Sequence, residues 1–165
     1  MNYYKSTIRK KNTNIKLDVW DTAGQEKYRS LTLHYLRGSD GFIIVFDLTS
    51  ISSFQNLNYW MKFIKNHSSV VPKILVGNKL DLFENRAVPK NDIENFCLDN
   101  DLFYLESSAK SNINIDQIFN YLVEECYQKS EKSREIPKEK ISNKDETEKK
   151  SIKNQNRNVS CCKIN

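Results

Sequence analysis

Apolar runs that alternate with amphipathic stripes predict a doubly wound α/β fold with a mostly parallel sheet. Three observations carry this. "GFIIVFDLT", "KILVGNKLD" and "FYLESSAK" are short apolar runs, the mark of strands buried on both faces. The segments between and after them repeat apolar residues at helical spacing. Polar clusters follow the strands: Asp21 after "KLDVW", Asn78 to Asp81 after "KILVG" and Ser107 to Lys110 after "FYLE". In such sheets ligands sit at the carboxyl ends of the strands.

In chain order, "STIRKKNTNIKLDVW" reads as two strands joined by a turn at Asn12 to Asn14, with Ile15, Leu17 and Val19 on one face. After "GFIIVFDLT", the segment "SFQNLNYWMKFIKNH" puts Phe54, Leu57, Trp60, Met61 and Ile64 on one helical stripe. "NDIENFCLDN" follows the second buried strand and aligns Ile93, Phe96 and Cys97. "NIDQIFNYLVEECYQ" follows the third and aligns Ile115, Ile118, Phe119, Leu122, Val123 and Cys126. These residues are the expected core.

The 165 residues bound the chain to one ordinary domain. A hydrophobic fraction of 38% is below the usual ~45–50%, which implies that part of the chain lies outside the core. Residues 131–165 fit that part. They are rich in Lys, Glu, Ser and Asn, cannot bury enough surface to offset ordering entropy, and read as a disordered tail after a domain at 1–130. The tail holds 10 Lys/Arg against 6 Asp/Glu, so it carries most of the net charge of +5. The rest is close to neutral, which argues against a nucleic-acid groove. The 4 cysteines show no metal-ligand spacing, and a reducing cytosol is the default setting. No run of about 18 apolar residues is present to span a membrane, and the polar, aromatic start is not that of a signal peptide.

In order and spacing, "DTAGQE", "NKLD" and "SSAK" resemble the small GTPases of the Ras superfamily, over about Met1 to Ser130. The resemblance implies a small-GTPase fold, GTP or GDP as ligand, and Mg²⁺. Guanine offers adjacent N1–H and N2–H donors, and one carboxylate, Asp81, can accept both. A buried acid left unpaired by the wrong base can discriminate by ~10⁴–10⁵-fold. Lys79 would lay its methylene stem on the purine face. By resemblance Asn78 ties the loop to the base and its neighbours, Ser108 and Ala109 bring backbone N–H groups to the guanine O6, and Lys110 covers the other ring face. Asp21 matches the acid that holds Mg²⁺ through water. Gly24 lets a backbone N–H reach the γ-phosphate, and Gln25 matches the catalytic residue that orients the attacking water.

Within the superfamily, "KLDVW", "KYRSLT", "YLRGS" and "IVFDLT" resemble the Rab type, a family of switches in vesicle trafficking. Tyr3, Trp20 and Tyr35 fall on its effector surface. The short interval from "NKLD" to "SSAK" lacks the helical insert of Rho proteins. "CCKIN" resembles a double-cysteine prenylation site, with Cys161 and Cys162 as lipid acceptors. The resemblance thus implies an exchange factor, a GTPase-activating protein, a GDP-dissociation inhibitor and effectors as partners. It also implies the cytoplasmic face of endomembranes, reached through prenyl groups, with cycling to the cytosol.

One part of the pattern is missing. No GxxxxGK[ST] occurs, and the chain has 4 glycines. Against the family, "MNYYKSTI" starts just past the switch I threonine, so the expectation is a truncated product lacking the first strand, phosphate loop and first helix, roughly forty residues. The lost strand would lie between "KLDVW" and "GFIIVFD", leaving two central edges unpaired at ~1–3 kcal/mol per unsatisfied group. The alternative function is a fragment or pseudo-GTPase that works by protein contacts alone.

Overall fold

The computed structural model describes residues 2–10, 13–22, 38–67, 71–135 and 157–164. Strands β1 (Asn2–Lys10) and β2 (Thr13–Asp21) form an antiparallel pair, in register from Asn2↔Asp21 to Lys10↔Thr13. Thr13 and Asn14, expected in the turn, belong to β2. The ladder takes them because each further cross-strand pair gives two backbone groups a partner.

Strands β3 (Gly41–Asp47), β4 (Lys73–Asn78) and β5 (Phe103–Glu106) run parallel. Their period-2 alternation sorts the core into two layers. Phe42, Ile44, Phe46 and Leu75 pack with helices α1 (Ile51–Gln55), α2 (Leu57–His67) and α3 (Lys90–Asn100). Ile43, Ile74 and Val76 face the other way and meet Ile118, Leu122, Val123 and Cys126 of α4 (Ile115–Glu135). The single stripe expected over 53–67 is two helices broken at Asn56, yet both serve the same layer through Phe54, Leu57, Trp60, Met61 and Ile64. α4 packs tightly against Gly41, since a Cβ there would lie 3.0 Å from the Cys126 Sγ and Leu122. Among the described residues no helix is long and apolar enough to cross a membrane.

The sheet order is β1-β2-β6-β3-β4-β5, where β6 is Arg157–Ile164. β6 pairs in parallel with β2 from Ile15↔Arg157 to Asp21↔Lys163 and with β3 from Gly41↔Cys161 to Ile44↔Ile164. This corrects two expectations. The segment 131–165 is not a disordered tail throughout: α4 continues to Glu135, and 157–164 is a strand. The two central edges are not left open, because β6 fills the position expected to be missing its strand. The physical reason is the same cost that made the open edges unfavourable: unpaired N–H and C=O groups inside a sheet take whatever strand the chain can supply.

Candidate functional site

β4 ends at Asn78, and the chain then turns sharply. Lys79 sits in the left-handed region at φ 69°, and a 3₁₀ turn follows over Leu80–Asn85. A non-glycine residue there costs about 1–2 kcal/mol, so surrounding contacts must hold it. They are present. The Lys79 Nζ lies 2.6 Å from the Asp47 Oδ2 at the end of β3. Leu48 N donates to the Asn78 carbonyl at 3.0 Å, and Leu80 N donates to the Ser107 carbonyl at 2.9 Å. The turn is thereby tied to the ends of β3 and β5.

Side chains complete the link between the second and third polar clusters. The Asn78 Oδ1 accepts the Ala109 N–H at 3.1 Å and the Ser107 hydroxyl at 3.4 Å. The Ser108 hydroxyl donates to the Asp81 Oδ1 at 2.5 Å and accepts the Ser111 N–H at 3.0 Å. Ser107 and Ser108 are fully buried, whereas Asp81 is partly open to solvent. An ionised carboxylate has about four lone-pair sites, so Asp81 keeps capacity for a pair of donors after Ser108 has oriented it. Asn78, Ser107 and Ala109 also line a cavity of about 180 Å³ whose remaining wall is apolar, including Val45, Val76 and Phe119. Lys110 is exposed beside them.

The loop amides differ from the expectation. Ser108 N–H already donates to the Ile113 carbonyl at 3.2 Å, and Ala109 N–H to Asn78. Both amides therefore have partners within the chain, Ser108 N–H in a buried position and Ala109 N–H in an exposed one. A base oxygen at this place has to share or displace the Asn78 acceptor.

Asp21 stands at the carboxyl end of β2, three strand spacings from β4, or about 14 Å. It lines a cavity of about 580 Å³ that Asp116 also lines. No group of three His, Cys, Asp or Glu side chains is placed to hold a metal ion among the described residues. One carboxylate of this kind fits Mg²⁺, which keeps several waters and takes its other oxygens from phosphate. A ligand that met both Asp81 and Asp21 would have to be elongated, with donors at one end and anionic oxygens at the other. Gly24, Gln25 and Tyr35 lie outside the described residues. Tyr3 and Trp20 face each other across the β1–β2 ladder with ring centroids 4.3 Å apart, and the Tyr3 hydroxyl donates to the Asp18 Oδ1 at 2.7 Å. That bond holds the Tyr3 hydroxyl's pKa above the usual tyrosine value.

Sequence reasoning missed Asp47. Burial works to raise its pKa, but hydrogen bonds from Lys79 and Thr49 outweigh it and the carboxyl titrates below its usual value. It accepts Thr49 N–H at 2.8 Å, the hydrogen bond of an Asx turn, so "DLT" was the available signal.

Residues 1–128 match the family model described as "Ras family". Among curated proteins, the chain is 41% identical over 125 residues to Ras-related protein Rab-13 of Mesocricetus auratus, covering 75% of this chain and 62% of that protein. It is 40% identical over 130 residues to Ras-related protein Rab-8A of Bos taurus, covering 78% and 63% respectively. The chain thus spans less than two thirds of the length of these curated relatives.

Proposed function

Because the chain belongs to the Ras family, and to the Rab type of small GTPase within it, we propose that it is a guanine-nucleotide switch of membrane trafficking. The observation that carries this reading is the pair of side-chain bonds, Asn78 to Ala109 and Ser108 to Asp81, which fuses two separate strand ends into one acceptor site. Asp81 reads the guanine N–H pair. Lys79 and Lys110 flank the ring, and Asn78 holds the two loops at a fixed spacing. Ser108 and Ala109 supply the small-residue loop against the base. Asp21 holds Mg²⁺ through water, and that ion supplies charge neutralisation at the phosphates when bound. Gly24 and Gln25 follow it in the chain, with Gln25 orienting the water for hydrolysis. Tyr3, Trp20 and Tyr35 form the effector surface.

The partners that follow are exchange factor, activating protein, GDP-dissociation inhibitor and effectors. Attachment to the cytoplasmic face of endomembranes runs through prenylated Cys161 and Cys162. A second reading, an interaction module without nucleotide turnover, is favoured by one observation: β6 occupies the central position from which the family's phosphate loop would emerge.

The deciding measurement is NMR titration of residues 1–165 with millimolar nucleotide. GDP should shift the amides of 78–81 and 107–110, and ADP should not. Asp81→Asn should transfer the preference to xanthosine diphosphate, because an amide can donate where the carboxylate accepted. Equal responses to GDP and ADP would sink the assignment.

A further inference from the structure

A cavity of about 730 Å³ lies at the amino ends of β4 and β5, where Lys73 and Phe103 line it, and runs along the second half of α4. Five steps of strand separate Lys73 from Asn78, or about 16 Å, so this cleft is remote from the acceptor site at the carboxyl ends. Three lysines line it, Lys73, Lys129 and Lys132, against two acids, Asp101 and Glu125. The balance leaves the cleft cationic.

Lys73 differs from the other two. It is part-buried, and its Nζ donates to the Val71 carbonyl at 3.0 Å. Burial is the first reason that its ammonium titrates below the usual lysine value, and the like charges of Lys129 on α4 and Lys65 on α2 come next; Asp101 pulls the other way. Glu125 and Tyr121 share the cleft, and the Tyr121 hydroxyl is pushed up by burial, then by Glu125 and Asp101, so it stays neutral. A lysine that is desolvated and set beside other cations has a larger fraction of its amine in the neutral, nucleophilic form. As a charge it is held at a cost, and a reaction that removes the charge relieves that cost.

We propose that Lys73 is a covalent modification site, acylated on Nζ by small acyl phosphates that enter this cleft. The phosphate end meets Lys129 and Lys132, which lie three residues apart on α4 and so share a helix face, and the acyl carbon meets Nζ. Lys73 first gives up its ammonium proton to solvent. The neutral amine attacks the acyl carbon, the N–C bond forms, and the bond from that carbon to the phosphate oxygen breaks. Inorganic phosphate leaves with the electron pair, and a second N–H proton passes to solvent. The amide keeps one N–H for the Val71 carbonyl, while the repulsion from Lys129 and Lys65 is gone.

The probe is acetyl phosphate at neutral pH, added to the whole 165-residue chain, with acetylation of each lysine followed by peptide mass spectrometry. Lys73 should react at least about fivefold faster than the exposed Lys62 and Lys90 in the same sample. An equal or lower rate at Lys73 overturns the proposal, and this arm needs no variant. Lys129→Gln keeps a helix-compatible side chain and should slow Lys73 at least about threefold, with Lys62 and Lys90 unchanged. Lys129→Arg, which restores the charge, should restore the rate; an unaltered rate in Lys129→Gln overturns the part given to the neighbouring cation. N-acetoxysuccinimide, a neutral acyl donor, separates nucleophilicity from phosphate binding. Lys132→Gln should slow the reaction of Lys73 with acetyl phosphate and leave its reaction with the neutral donor as it was. Equal effects on both donors overturn the acyl phosphate as the reagent this cleft selects.

Discussion

Ser108 shows how much one hydroxyl can do at a strand end. It is fully buried, orients Asp81 by donation and satisfies the Ser111 N–H by acceptance. Ser108→Ala should cost about 1–3 kcal/mol, the usual penalty for leaving buried partners unsatisfied, read as a lower urea midpoint at constant slope. It should also weaken the guanine preference, because Asp81 loses its fixed orientation. Asp47→Asn offers a contrast. The amide oxygen can still accept from Thr49, while the ion pair to the half-exposed Lys79 is lost. Stability should change by less than about 1 kcal/mol, and a larger fall in GDP response is expected than in the urea midpoint. At this scale the sequence named Asn78, Lys79 and Asp81 through the resemblance of "NKLD" to a family motif. It could not show that Ser108 bonds Asp81 through its side chain, since 27 residues separate them and only the sheet brings them together.

Single elements are coupled at the site by a second polar network. Arg86, after the 3₁₀ turn, donates to Glu106 at the end of β5, and the Tyr104 hydroxyl donates to the same carboxylate at 3.0 Å. Burial works to raise the Glu106 pKa, but these two hydrogen bonds outweigh it and hold the carboxyl below its usual value. The sign follows. A depressed folded pKa adds stability that is fully present above the unfolded value of about 4.3 and is lost as pH falls through the folded value. The urea midpoint should therefore drop below about pH 4, and Glu106→Gln should flatten that drop while lowering the midpoint at neutral pH. Gly77 marks another coupling of elements. A Cβ there would stand 2.7 Å from the Tyr104 hydroxyl and 2.8 Å from Leu48, so Gly77→Ala should cost about 1–3 kcal/mol through overpacking. Strands β3 to β5 were legible in the sequence as short apolar runs, and helices α2 to α4 by their amphipathic period. β6 was not, because "RNVSCCKI" has the polar composition of a tail and only two open edges elsewhere in the chain make it a strand.

For the molecule as a whole, the middle of the sheet decides both stability and ligand grip. A chain ending at Asn156 leaves β2 and β3 with exposed edges, and such edges template pairing with other chains. Residues 1–156 should unfold at lower urea than 1–165 and self-associate at micromolar concentration, as sedimentation velocity can report. Calorimetry of residues 1–165 with GDP should show no binding at micromolar concentration, because the chain has no GxxxxGK[ST] loop to grip the phosphates. Nanomolar affinity would mean that some other group takes that role. The position of β6 has a further consequence for the order of events during synthesis. Ile15 and Arg157 are ladder partners more than 140 residues apart, so the strand at the centre of the sheet is made after every other described strand. At about 5–20 residues per second, β2 waits many seconds on the ribosome for its neighbour. Pairings this distant also carry the largest loop-closure delay, so refolding in vitro should be slow for a domain of this size. The newborn chain spends that interval with its central edges exposed, which is when a chaperone or a second copy has its best chance to bind.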